Sequence, residues 1–162
     1  MIRPLLKASI YSSICVAVIA IAVSVSAQAP KKVSSHAASE DPAPPFLEYR
    51  GVQLGMTADE VRKKLGDPKE KGDEQDFYIF SETETAQVLY DKMHKVTAIS
   101  ADFTTVGNNV PTAKAVFGAD VEAKADGSVY KMVRFPKAGY WLSYNRTGGT
   151  SPLTTVTLQK IQ

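Results

Sequence analysis

The chain has 162 residues, in which 19 lysines and arginines are balanced by 17 aspartates and glutamates, and it has two histidines and one cysteine. A net charge so close to zero provides no basic surface of the kind that nucleic-acid binding requires. Because Cys15 lies in an apolar N-terminal run, the remainder of the chain has no residue for disulfides, thiol chemistry or a zinc site of the thiolate kind.

The N-terminus has the pattern of a secretory signal. Arg3 and Lys7 form a basic start, residues 14–25 are apolar apart from Ser24, and small residues lead up to Ala27. We expect residues 1–27 to be a signal peptide cleaved after Ala27, which predicts a periplasmic or secreted protein. The alternative is an uncleaved anchor in the inner membrane, because residues 8–27 carry no charge and are long enough to span a bilayer as a helix.

A stalk and two folded units are predicted after the signal. Residues 28–47 are rich in proline, alanine and serine and have almost no large apolar side chain, which favours a flexible stalk. Residues 48–105 and 106–162 then repeat one another, because the stretch 54–66 matches 106–118 at a spacing of 52 positions. A fixed period of this kind indicates one supersecondary unit used in tandem.

Each unit is predicted to open with a short helix. In the first unit Thr57 is a suitable N-cap and Glu60, three residues later, completes a capping box, while Gly66 ends the helix. In the second unit the expected N-cap is Asn109 and the expected stop is Gly118.

Three strands follow each helix. The predicted strands are 77–81, 87–91 and 96–103 in the first unit and 128–135, 140–145 and 154–160 in the second. Short turns join the strands, so each set is predicted to be an antiparallel meander. The fold class predicted is α+β, with two tandem helix-plus-three-stranded units that join or adjoin and helices on one face of the sheet.

The motif of the first unit resembles a known family. The run Gly55-Met56-Thr57, then Val61, then Leu65-Gly66-Asp67-Pro68 and a closing strand at 95–99 is similar to the small domain of the SmpA/OmlA (BamE-like) outer-membrane lipoproteins. A tandem arrangement also resembles the β-lactamase inhibitor protein. The resemblance implies an extracytoplasmic, non-enzymatic module that binds another envelope or secreted protein. The chain departs from the lipoproteins in having two units and no lipid-modified cysteine after the signal.

The strands contain more aromatic residues than one small core needs, which favours an interaction surface. Alternation along the predicted strand 140–145 places Tyr140 and Tyr144 on one face and Trp141 on the other, although it does not decide which face is exposed. Tyrosine and tryptophan are favoured at protein interfaces. The alternative is that these aromatic rings fill the core or the seam between the two units. The predicted partner-binding residues are Tyr130, Arg134, Trp141 and Tyr144.

No catalytic residue, metal site or cofactor is predicted. His94 lies in a predicted turn without a second histidine nearby, and Asp73, Glu74 and Asp76 are interpreted as solvated loop charges because they lack the spacing of a calcium loop. Two alternatives to protein binding stay open. One is an accessory protein for envelope maintenance, anchored in or close to the membrane, and the other is a small-ligand sensor with a pocket between the two units.

Overall fold

A computed structural model describes residues 44–104 and 109–162. The predicted signal peptide and residues 28–43 of the predicted stalk lie outside the described residues. The elements, in chain order, are α1 (Ala58–Leu65), β1 (Glu70–Lys71), β2 (Gln75–Ser81), β3 (Glu84–Tyr90), β4 (Val96–Phe103), α2 (Ala113–Phe117), β5 (Val129–Phe135), β6 (Tyr140–Arg146) and β7 (Thr154–Lys160).

All seven strands form one antiparallel sheet, in the order β1-β2-β3-β4-β7-β6-β5. The predicted fold class, two helix-plus-three-stranded units, was therefore wrong. The two meanders merge because β4 pairs with β7, with Ile99 opposite Leu158 and Ala101 opposite Val156. Strand β1, which the sequence analysis did not predict, pairs with β2 and extends the sheet further. The two helices have only eight and five residues, so the protein is dominated by its sheet.

The two helices begin with different caps. At α1 the predicted capping box is present, because the Thr57 hydroxyl accepts from the backbone N–H of Glu60 while the Glu60 carboxylate accepts from the backbone N–H of Thr57. At α2 the N-cap is Thr112, whose hydroxyl accepts from the backbone N–H of Ala115 at 3.1 Å. The prediction of Asn109 as this cap was wrong, since the helix starts after Pro111 rather than before it.

Both helices pack on the same side of the sheet as the apolar core. Val61 of α1 belongs to one buried cluster and Val116 of α2 belongs to a second. Phe46 and Leu54 pack against both clusters and fill the seam between them. We call this side the covered face. The opposite side, which we call the open face, has no helix of the described residues packed on it.

Candidate interaction surface

Alternation along β5 separates the two faces of the sheet. Val129, whose side chain is buried, belongs to the second core cluster, so the residues two and four positions later point to the covered face as well. Tyr130, Met132 and Arg134 point the other way and are all exposed. Tyr130 keeps 57% of its surface in solvent and Met132 keeps 45%. The edge of the open face therefore carries large side chains that are not buried.

Strand β6 adds a tryptophan to the same surface. Trp141 is the Cα partner of Arg134 in the β5–β6 ladder, so the two side chains stand side by side on the open face. Trp141 is half-buried. We call Tyr130, Met132, Arg134 and Trp141 the β5–β6 patch. It combines two aromatic rings, a flexible thioether and one cation on two neighbouring strands.

The centre of the open face is polar and made of small side chains. The hydroxyls of Ser100 on β4 and Thr157 on β7 lie 3.0 Å apart. Two residues further along β4, on the same face, Thr155 Oγ1 donates to Asp102 Oδ1 at 2.6 Å. These pairs cross the junction of the two meanders and satisfy each other's hydrogen-bonding groups. The β5–β6 patch is thus bordered on its inner side by polar side chains.

Three of the four predicted partner-binding residues come together on the open face, namely Tyr130, Arg134 and Trp141. Tyr144 does not join them. It is 3% exposed, belongs to the second core cluster on the covered face, and lines a cavity of about 470 Å³ beside α2. Its neighbour Leu142 is fully buried on the same face.

A polar signal in the sequence would have distinguished these faces. Ser143 and Asn145 alternate with Leu142 and Tyr144, and they share the face of Trp141. Hydrophilic companions of this kind indicate the solvent side of a strand. Sequence analysis also missed Met132, although its spacing of two residues from both Tyr130 and Arg134 puts it on their face.

The covered face contains a buried charge network around Asp76. Asp76 has no exposed surface, and its carboxylate accepts from Arg62 Nε at 2.9 Å, from Arg62 Nη2 at 3.0 Å and from the Tyr90 hydroxyl at 2.8 Å. Burial opposes ionisation, but these hydrogen bonds outweigh it and lower the pKa of Asp76. The interpretation of Asp76 as a solvated loop charge was wrong. A carboxylate without exposed surface joins α1 to the sheet rather than meeting a ligand.

A second network fixes the segment before α1. Glu84 Oε1 accepts from the Tyr49 hydroxyl at 2.7 Å, and Arg50 donates to both carboxylate oxygens, at 3.1 Å from Nε and at 2.8 Å from Nη2. The guanidinium carbon of Arg50 also lies 4.2 Å from the centroid of the Phe80 ring. Burial and the bond to Glu84 raise the pKa of Tyr49. The hydroxyl, guanidinium and carboxylate groups of this cluster thus hydrogen-bond to one another.

The acidic turn between β3 and β4 is organised by hydrogen bonds to its own backbone. Asp91 Oδ1, in the turn between β3 and β4, accepts from the backbone N–H groups of Met93 and Lys95, both at 2.9 Å, and so serves as a turn residue. His94 follows in the same turn with a φ of 54°. Across residues 44–104 and 109–162, no three His, Cys, Asp or Glu side chains are grouped so that they could hold a metal ion.

Comparisons with known proteins leave the family open. The chain matches no protein-family model, no curated protein and no solved structure. The resemblance to SmpA/OmlA domains therefore stays a prediction. Within the described part of the chain, no helix has the length and apolar character needed to cross a membrane.

Proposed function

We propose that this chain is a non-enzymatic, secreted or periplasmic binding module that captures another envelope or secreted protein on the β5–β6 patch. One observation carries the proposal, which is the exposure of Tyr130, Met132 and Arg134 on β5, beside the half-buried Trp141 on the adjacent strand β6. Protein interfaces favour tyrosine, tryptophan, methionine and arginine, and their binding energy is concentrated in a few such residues. The compartment rests on the predicted signal at residues 1–27.

The surroundings of the patch also suit a protein partner. Protein interfaces have a desolvated apolar centre within a polar rim. Ser143 and Asn145 lie beside the patch on β6, and Thr157 and Thr155 follow on β7. A partner that covers the two aromatic rings would meet these polar side chains at the margin of the contact.

The small-ligand alternative has weaker support. It requires an apolar cavity between the two repeats, yet Phe46 and Leu54 occupy that seam. The depression beside it, about 660 Å³, is lined in part by the ion-paired side chains of Arg50 and Glu84. An anchored envelope-maintenance protein is compatible with the same patch, and N-terminal sequencing of the mature chain would separate it from a cleaved, free protein.

Affinity capture with matched variants tests the proposal. The full chain, immobilised, is incubated with envelope extract, and Trp141→Ala is compared with Met93→Ala, which alters a side chain that is 70% exposed in the β3–β4 turn. Truncating an anchor residue costs about 2 kcal/mol or more, a loss of about 30-fold in affinity. We expect a specific protein to be lost with Trp141→Ala and retained with Met93→Ala. Equal capture by the two variants would exclude the patch as the binding site.

A further inference from the structure

The sheet ends on one side at a long, regular edge strand. All seven residues of β5 pair with β6 without a shift in register, and no strand of the described residues lies on the other side of β5. The strand contains neither proline nor a bulge. The opposite edge is different, because β1 has only two residues, both charged. A long edge with unpaired backbone groups is a template for a further strand.

The backbone groups that β5 offers can be assigned from its two ends. The Phe135 carbonyl accepts from the N–H groups of Ala138 and Gly139 in the turn to β6, so it points toward β6. Ser128, just before β5, is an odd number of residues from Phe135, so its backbone groups point to the opposite side. Its carbonyl accepts from Lys124 N at 2.8 Å, outside the β5–β6 ladder. Backbone groups alternate in direction along an antiparallel strand. The N–H and C=O groups of Tyr130, Met132 and Arg134 therefore point outward.

We propose that β5 pairs antiparallel with β5 of a second copy of this chain, across a two-fold axis at Met132. In this register the outward groups of Met132 meet their own counterparts, and those of Tyr130 meet Arg134 of the second copy. Two seven-stranded sheets then join into one, and the interface is isologous, as in most dimers. The proposal concerns backbone pairing at the sheet edge, whereas partner capture uses side chains on the open face, and the two share the strand β5.

The side chains favour this register over its neighbours. Arg134 stands opposite the Tyr130 ring of the second copy, which permits a cation–π contact, and Lys131 stands opposite Val133. A two-fold axis at Lys131 would instead place two ammonium groups directly opposite each other. An axis at Val133 would place Tyr130 opposite Pro136, which has no N–H to donate. Only the Met132 axis pairs all seven residues without opposing like charges.

Lys131 is the other cation near the axis, and its ammonium group contacts an aromatic ring of the same chain. Lys131 points to the covered face, where its Nζ lies 4.9 Å from the centroid of the Phe117 ring of α2. This contact draws the ammonium onto the ring and reduces its repulsion across the axis. On the open face, pairing buries part of the exposed surface of the Tyr130 and Met132 side chains.

Disulfide trapping tests the register. The full chain with Cys15→Ser and Met132→Cys carries one thiol at the axis, and the full chain with Cys15→Ser and Met93→Cys carries one thiol in an exposed turn. Opposed residues of an antiparallel pair are within disulfide reach. We expect Met132→Cys to form covalent dimers at least about 10-fold faster than Met93→Cys under the same mild oxidation, a difference of about 1.4 kcal/mol in activation free energy. Equal rates would overturn the proposed axis.

Mass measurement tests the dimer itself. We expect the purified full chain to approach twice its monomer mass of 17.5 kDa as its concentration rises to about 100 μM. Met132→Glu places two carboxylates at the axis and should weaken the dimer about 10-fold or more, whereas Ile79→Glu makes the same charge change on β2 and should leave it intact. A chain that stays monomeric, or equal effects of the two variants, would exclude the interface. Trp141→Ala should weaken partner capture without weakening the dimer, so the two proposals can fail separately.

Discussion

Arg62 of α1 donates two hydrogen bonds to the fully buried carboxylate of Asp76 on β2, from Nε at 2.9 Å and from Nη2 at 3.0 Å. The same Nη2 also donates to the Gly72 carbonyl at 3.1 Å, and the Gly72 N–H donates to Asp76 Oδ1 at 3.2 Å. A helix of eight residues is marginal without tertiary contacts. The bidentate contact of this pair therefore orients α1 on the sheet.

Removing one member of the Arg62–Asp76 pair should destabilise the protein strongly. Asp76→Asn leaves the Arg62 guanidinium facing a neutral amide, and Arg62→Ala leaves a buried carboxylate with too few donors. We expect each single variant to lower the free energy of unfolding by about 3–5 kcal/mol. The double variant should cost clearly less than the sum, because the two changes remove one shared interaction. Urea unfolding of the four proteins measures this, and additive losses would show that the pair does not act as a unit.

The cap of α1 was predictable from the sequence, whereas the cap of α2 and the long-range strand pairing were not. Thr57 and Glu60 form the predicted capping box because the interaction depends on residues three positions apart. The pairing of β4 with β7 joins Ile99 to Leu158, and no local pattern reports which strand edges meet. Strand β1 escaped prediction because its two residues, Glu70 and Lys71, are charged and too few to show alternation.

In the candidate site, too, the sequence predicts what neighbouring residues determine and fails where distant residues decide. Alternation correctly separates Trp141 from Tyr144, but the burial of Tyr144 depends on Val156 and Leu158, which pack beside it from a strand more than ten residues away. Asp76 likewise looks like one more loop carboxylate beside Asp73. Its burial becomes possible because Arg62 donates from α1 and Tyr90 donates from β3.

Glu84 should contribute more to stability than Arg50, although the two form one ion pair. Arg50 has a φ of 50° and its side chain is 45% exposed, so Arg50→Gly relieves backbone strain while it removes a screened ion pair. These effects oppose each other, and we expect a change within about 1 kcal/mol. Glu84→Ala instead leaves the buried Tyr49 hydroxyl without its acceptor, which costs about 1–3 kcal/mol. Thermal unfolding of both variants measures the difference. A larger loss for Arg50→Gly would contradict this ranking.

Stability should fall in alkaline solution because of buried tyrosines. Burial, reinforced by the charge of Asp76, raises the pKa of Tyr78 from 10.0 to about 12. The folded state thus holds a proton that the unfolded state releases above pH 10, so the contribution is complete below pH 10 and is lost as the pH rises toward about 12. We expect the free energy of unfolding of the wild type to fall more steeply between pH 10 and 11.5 than that of Tyr78→Phe. Parallel curves would show that Tyr78 does not contribute.

Trp141 and Tyr144 should separate binding from stability, since they lie three residues apart on opposite faces of β6. Tyr144 is 3% exposed, and Tyr144→Ala should lower the free energy of unfolding by about 3–5 kcal/mol, as for other buried aromatic residues. Trp141 is half-buried on the open face, and Trp141→Ala should lower it by only about 1 kcal/mol. Urea unfolding followed by far-UV circular dichroism compares the two variants with the wild type. If Trp141→Ala destabilises as much as Tyr144→Ala, Trp141 is a structural residue, and its effect on partner capture could not be assigned to direct contact.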